Sequence, residues 1–340
     1  MRSKNFCAVL TAGALVFGAA ACGGEDEPTA STPAGGGAET QPEESGTDVS
    51  SLSGDIRIDG SSTVEPLANA AAELISEEGA KLKVTVGGAG TGDGFEKFCR
   101  GELDIADASR AIEADEYEAC QKKGIEPVEV QVGIDGLSVV ANPALKFPND
   151  CIKIADLKKL LAPKSKIKNY SELGPGYPDA PVSFFTPGTE SGTYDYFTEA
   201  ALETDAEQRT QNVQTSADDN QIVTGISGTE NALGYVGFAF AEENKEKLKT
   251  LAVDNGDGCV QPNVETIASG EYAPLSRPLF MYPTAETVKI PAIKGYLTFI
   301  NEMNQQINEA SGYIPLTDEL KTKALENINS ATPVQKPAAE

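Results

Sequence analysis

The 340-residue chain contains no histidine. That removes the residue most often used to activate a serine or threonine nucleophile. With no Cys-x-x-Cys spacing either, the sequence also argues against a metal centre. Beyond residue 21 no stretch is long and apolar enough to cross a bilayer, and there is no internal repeat. Basic residues are scarce, 27 Lys and Arg against 52 Asp and Glu, for a net charge of −25. Such a surface repels nucleic acid and anionic headgroups. No nucleic-acid partner and no cofactor are expected.

What is present starts at the ends. Arg2 and Lys4 precede an uncharged apolar run over residues 6–21, closed by Ala19-Ala20-Ala21 and followed by Cys22-Gly23-Gly24. This resembles a bacterial lipoprotein signal, with Ala19 where leucine is usual. The resemblance implies that residues 1–21 are removed, that Cys22 is lipidated, and that two acyl chains hold the protein on the membrane. Losing Arg2 and Lys4 would take the net charge from −25 to −27. Residues 22–52 are Gly, Pro, Ser, Thr, Glu and Asp with little to bury, the composition of a tether. The folded chain is expected from about Ser53, long enough for two lobes, and residues 331–340 read as a loose tail.

Of six cysteines, Cys7 leaves with the leader and Cys22 takes the lipid. Cys99, Cys120, Cys151 and Cys259 remain, an even number in an oxidising compartment. Three pairings are open. Cys99–Cys120 with Cys151–Cys259 is favoured, because the first two flank one helix-strand-helix unit.

Three loops rich in Gly, Ser and Thr run straight into helices: Asp59-Gly60-Ser61-Ser62-Thr63 before Pro66, Gly87-Gly88-Ala89-Gly90-Thr91-Gly92 before Phe95, and Thr189-Glu190-Ser191-Gly192-Thr193 before Tyr194. Each offers unpaired N–H groups and a hydroxyl at the positive end of a helix. Three together suggest a small anion enclosed from several sides. The acidic total does not oppose this, because salt screens the long-range field beyond about 8 Å. An enclosed anion responds to the groups that touch it.

Strand patterns near residues 55–58, 82–86, 104–108 and 128–132 alternate with helical patterns at 66–78, 95–100 and 114–122. A second series follows with helices at 154–161, 194–202 and 221–226 and strands at 182–185, 234–238 and 248–253. The chain closes with helices at 292–310 and 317–327. The pattern predicts a mostly parallel, open α/β sheet in each of two lobes. Apolar runs at 133–142 and 276–282 are expected to cross between them, giving lobe 1 as 53–137 with 277–330 and lobe 2 as 138–276. Such a pair closes on a ligand about its hinge.

Gly60-Ser61-Ser62-Thr63-Val64, Leu103-Asp104-Ile105-Ala106-Asp107-Ala108-Ser109-Arg110, Glu190-Ser191-Gly192-Thr193 and Pro274-Leu275-Ser276-Arg277-Pro278-Leu279-Phe280 resemble, in order and spacing, the signature segments of phosphate-binding proteins of ABC-type phosphate importers. The resemblance covers nearly all of residues 53–320. It implies the two-lobed type II periplasmic-binding-protein fold, inorganic phosphate as ligand, importer permease subunits as partners, a monomer, and an extracytoplasmic location. Carried over, the phosphate contacts fall on Ser62, Thr63, the N–H of Val64, Gly90, Thr91, Ser109, Arg110, Ser191, Gly192 and Thr193. Relatives place an arginine four residues before the Ser-Gly-Thr serine, where this chain has Pro187, and an acid where it has Arg110. Arg110 is therefore expected to supply the bound cation. The carboxylate that would accept the proton phosphate carries and sulfate lacks falls to Asp107, Glu190 or Asp219.

Each residue also has a plainer role. Thr63 could cap a helix, Gly87–Gly92 could be a flexible turn, Arg110 could pair with Glu113, and Asp218 and Asp219 could be caps. Asp135 is expected to serve the hinge turn. Rival functions are binding of sulfate or arsenate, a surface adhesin or sensor, and a phosphoester hydrolase using Ser191 or Thr193. The last lacks both a histidine and the Gly-x-Ser-x-Gly frame.

Overall fold

The computed structural model describes residues 48–189, 191–204 and 207–338. The leader, Cys22, the tether up to residue 47, and Glu190 lie outside the described residues. Among the described residues no helix is long and apolar enough to cross a membrane, and no group of His, Cys, Asp and Glu could hold a metal ion.

The first half of the fold begins with β1 (Ser53–Gly60), β2 (Lys81–Val86) and β3 (Ile105–Ala108), all mutually parallel. The helix Glu65–Glu77 connects β1 to β2. Pro66 sits in its first turn, and Leu67, Ala68, Ala71 and Ile75 form its buried stripe, the spacing of a helix with one apolar face. The long strand β4 (Val130–Ala141) then carries the chain into the second half. There β5 (Cys151–Lys153), β6 (Ser183–Thr186), β7 (Val213–Thr215), β8 (Ala232–Gly237), β9 (Lys249–Thr250), β10 (Ala252–Asp254) and β11 (Cys259–Val260) follow. Strand β12 (Ser276–Pro283) returns, and the helices Pro291–Glu302, Asn304–Ser311 and Asp318–Ser330 complete lobe 1.

A mostly parallel sheet was expected, and that expectation is corrected. The order is β2-β1-β3-β12-β4-β8-β6-β7 in a single sheet, with β9 also pairing β4. The outer strands on each side are parallel, but β12 runs antiparallel to both β3 and β4, and β4 runs antiparallel to β8. The reason is connectivity: one crossing strand leaves lobe 1 and the other comes back, so the two must oppose each other. Strand β4 is also one piece where the sequence suggested two. Gly133 does not break it. A Cβ there would lie 2.1 Å from Asn308 Oδ1, so this glycine marks a close approach within a strand.

Two apolar cores flank the crossing. Val130 and Val132 of β4 join Ile56, Leu67, Tyr296 and Leu297 in lobe 1, whereas Leu137 and Val139 join Leu157, Phe184, Phe197 and Tyr235 in lobe 2. The strands β5, β10 and β11, which the sequence pattern did not separate, form a small three-stranded sheet in lobe 2. Cys99 bonds Cys120, and Cys151 bonds Cys259 across that small sheet. Both ends hold more structure than expected. Asp48 caps a turn whose Val49 is buried in the lobe 1 core, so packing starts before residue 52. In the tail, Val334 N–H donates to the Pro127 carbonyl at 2.8 Å, and Lys336 pairs with Glu118 at 2.7 Å.

Asp107 on β3 is fully buried, and neither carboxyl oxygen has a protein hydrogen-bond partner. Burial pushes its carboxyl well above the ordinary value of 3.8, and nearby Asp59 and Glu65 add to the rise. A raised folded-state value means that the native protein holds a proton the unfolded chain has lost, so Asp107 erodes stability as pH rises above about 4. Asp107→Asn is therefore expected to raise Tm at pH 8 and to give no gain at pH 3.5. Thermal melts of both proteins at the two pH values test this; an equal gain at both would contradict it.

Candidate anion site between the lobes

A cavity of about 290 Å³ opens where the carboxyl ends of β1 and β3 face lobe 2. Lobe 1 lines it with Ser61, Ser62 and Thr63 from the end of β1, with Gly90, Thr91 and Gly92, and with Ser109 and Arg110 after β3. Lobe 2 contributes Asp195, Tyr196 and Glu199, and β12 contributes Arg277. Of the expected contacts, Ser62, Thr63, Gly90, Thr91, Ser109 and Arg110 thus share one cavity.

The first two loops are built against each other. Gly60 lets the end of β1 touch β3, since a Cβ there would lie 2.1 Å from the Asp107 carbonyl oxygen. Ser61 N–H donates to that same carbonyl at 2.8 Å, and Gly90 N–H donates to Gly60 O at 2.7 Å. Asp59 accepts from Gly60 N–H and Ala89 N–H and pairs with Lys97. The helix Thr91–Cys99 starts at the cavity with Gly90 as its cap residue at φ 108°. Its first N–H groups, from Thr91 and Gly92, face no preceding turn. Thr91 Oγ1 lies 3.3 Å from Ser109 Oγ and accepts from Ser109 N–H.

Thr63 is not a helix cap. The cap residue of Glu65–Glu77 is Val64, with no side-chain capping bond, and Thr63 Oγ1 instead accepts from Arg277 Nη2 at 2.8 Å. The expected contact from Val64 is corrected: its N–H donates to the Ser61 carbonyl at 3.0 Å, and its side chain is buried. In lobe 2, Ser191 caps the helix Gly192–Phe197 by accepting from Thr193 N–H. Ser191, Gly192 and Thr193 do not line the cavity in this conformation, but a Cβ on Gly192 would lie 3.7 Å from Thr63 Oγ1. The third loop therefore meets the first across the lobes.

The cations divide differently from the sequence expectation. Arg110 reaches the cavity, but Glu116 holds its guanidinium in a two-pronged pair at 2.8 and 2.9 Å, Glu113 takes Nε at 3.0 Å, and the Ala111 carbonyl accepts at 3.1 Å. Arg277 was missed. It stands opposite Asp135 in the β12–β4 register, and its Nε pairs with Asp135 Oδ2 at 3.3 Å. Its guanidinium lies 3.7 Å from the centroid of the Tyr196 ring, and Glu199 stands 3.8 Å from Nη1. With a side chain 13 % exposed, Arg277 touches lobe 1, the hinge and lobe 2 at once. A stacked, largely desolvated guanidinium suits an oxyanion well. Burial raises the Asp135 carboxyl, against the pull of Arg277. Of the expected proton acceptors, Asp107 is buried within β3 and Asp219, beside the cap Asp218, does not line the cavity, while Glu190 lies outside the described residues.

Residues 31–302 match the profile of the PBP superfamily domain. The chain belongs to this family of two-lobed substrate-binding proteins. It is 39% identical over 278 residues to the Synechococcus elongatus protein SphX, covering 81% of each chain. It is 33% identical to the phosphate-binding protein PstS of Staphylococcus epidermidis, covering 78% of this chain and 80% of that one. A crystal structure of a possible phosphate-binding protein from Planctomyces limnophilus superposes with a TM-score of 0.78 at 41% identity, over 83% of this chain and 99% of that one.

Proposed function

We propose that the protein is an extracytoplasmic receptor that captures inorganic phosphate and delivers it to an ABC importer. The observation that carries this reading is the convergence of Thr63, Thr91, Ser109 and Arg277 on one cavity between two lobes. Hydroxyls and helix-end N–H groups replace the ligand's water, and the guanidinium balances its charge. The relatives named for phosphate binding agree with that chemistry. No bond is made or broken, so affinity and closure are the whole activity. In this reading the lobes are 53–137 with 277–330 and 138–276, Cys22 carries the lipid, and a monomer meets the importer permease subunits.

Isothermal titration of purified protein with phosphate at neutral pH is expected to show one site per chain. Absence of any heat with phosphate, or turnover of a generic phosphoester by metal-stripped protein, would end the proposal. The intact mass of membrane-extracted protein is expected to carry the lipid on Cys22.

A further inference from the structure

The cavity holds two carboxylates that the motif resemblance did not point to. Asp195 on the helix Gly192–Phe197 and Glu199 in the π-helical turn Thr198–Leu202 that continues it both line the space that Thr63 and Arg277 enter. Glu199 sits at the rim, its side chain 75 % exposed and drawn toward Arg277. Asp195 lies on the turn nearer to Ser191, where the third loop meets Thr63. No hydrogen bond from another described residue satisfies its side chain. Its surroundings are also short of free positive charge. Arg110 is matched by Glu113 and Glu116, and Arg277 by Asp135.

An oxyanion with no proton would meet Asp195 as a like charge. An oxyanion that carries a proton can instead donate a hydrogen bond to it. Phosphate and arsenate carry such a proton at neutral pH, and sulfate does not.

We infer that Asp195 is the acceptor for the ligand's proton and that it sets the preference for protonated tetrahedral oxyanions over sulfate. This rests on the anion-binding reading above and adds to it the identity of the selecting group. The role passes from Asp107, Glu190 and Asp219 to a residue on the lobe 2 helix, so selection takes place as the lobes close. Burial in the cleft pushes the Asp195 carboxyl up, Arg277 draws it down, and Glu199 adds to the rise. A carboxylate less well solvated than an exposed aspartate is a strong partner for a donated proton.

The test is a titration of wild type, Asp195→Asn and Asp219→Asn with phosphate, arsenate and sulfate at pH 7.5. Wild type is expected to bind phosphate and arsenate at least 100-fold more tightly than sulfate. The asparagine amide can donate to an unprotonated oxygen, so Asp195→Asn is expected to bind sulfate at least tenfold more tightly and phosphate at least tenfold more weakly. Asp219→Asn is expected to match wild type. Circular dichroism and Tm of the variants establish that all three proteins are folded. If wild type selects phosphate and Asp195→Asn keeps the same ratio, the assignment of Asp195 is overturned while the phosphate reading stands. If wild type binds no phosphate, the phosphate reading itself falls.

Discussion

Arg277→Ala is expected to lower phosphate affinity by about 100-fold or more. A hydrogen bond between charged groups contributes about 1.5–3 kcal/mol, and about 1.4 kcal/mol is a tenfold change in affinity. Arg277 directs one donor at Thr63 and stacks on Tyr196, so its loss also frees two groups that shape the cavity. The same change leaves Asp135, itself 5% exposed, without its cation, and stripping one partner from a buried pair costs about 3–5 kcal/mol. Stability and binding will therefore fall together in the single variant. Arg277→Ala combined with Asp135→Asn separates them: Tm should recover and affinity should not. Arg110→Ala should cost less affinity, because its donors are already held by Glu113, Glu116 and Ala111. A double variant that binds phosphate like wild type would remove Arg277 from the site.

The second large effect concerns folding. Cys151 and Cys259 are 108 residues apart, and Cys99 and Cys120 only 21. In the chain-entropy account, closing a loop of about 100 residues stabilises by about 4–5 kcal/mol, and closing one of about 20 by about 3 kcal/mol. Replacing both Cys151 and Cys259 by serine is therefore expected to lower Tm by about 10 °C or more, at about 2–4 °C per kcal/mol for a domain of this size. The matching change at Cys99 and Cys120 should cost less. Neither Cys151 nor Cys259 lines the ligand cavity, so phosphate affinity at 25 °C should stay near that of wild type. Calorimetric melts of the two serine pairs, with titrations beside them, check both statements. Equal losses from the two pairs would contradict the loop-length argument.

Much of this architecture was legible in the residues. Pro66 and the stripe Leu67, Ala68, Ala71, Ile75 marked one helix. The cap at Asp218 marked another, and its side chain does accept from Asn220 N–H. The two apolar runs near residues 133–142 and 276–282 marked the crossing strands, because a strand buried on both faces is apolar throughout. What stayed hidden depends on register. Arg277 and Asp135 are 142 residues apart, and nothing local says that β12 and β4 pair so as to set one opposite the other. Each read as a segment residue or a hinge turn. Arg110 does line the cavity, but its local pairing was hidden for the complementary reason: Glu116 lies one helical turn beyond Glu113, and the two hold the guanidinium from their own helix. Asp195 looked like any acid in a first helical turn. Only the approach of lobe 2 to Thr63 places it over the ligand space.

The ladder through β4 and β12, with one register shift between Leu279 and Phe280, limits how the halves can move. Adjacent antiparallel strands hold each other's spacing along their length through six paired positions, so sliding or pulling apart would tear the ribbon. Torsion about the ribbon remains soft, because it changes each bond only slightly. Capture and release are then expected to follow mainly one angular coordinate, which a pair of distance probes, one on each half, would track.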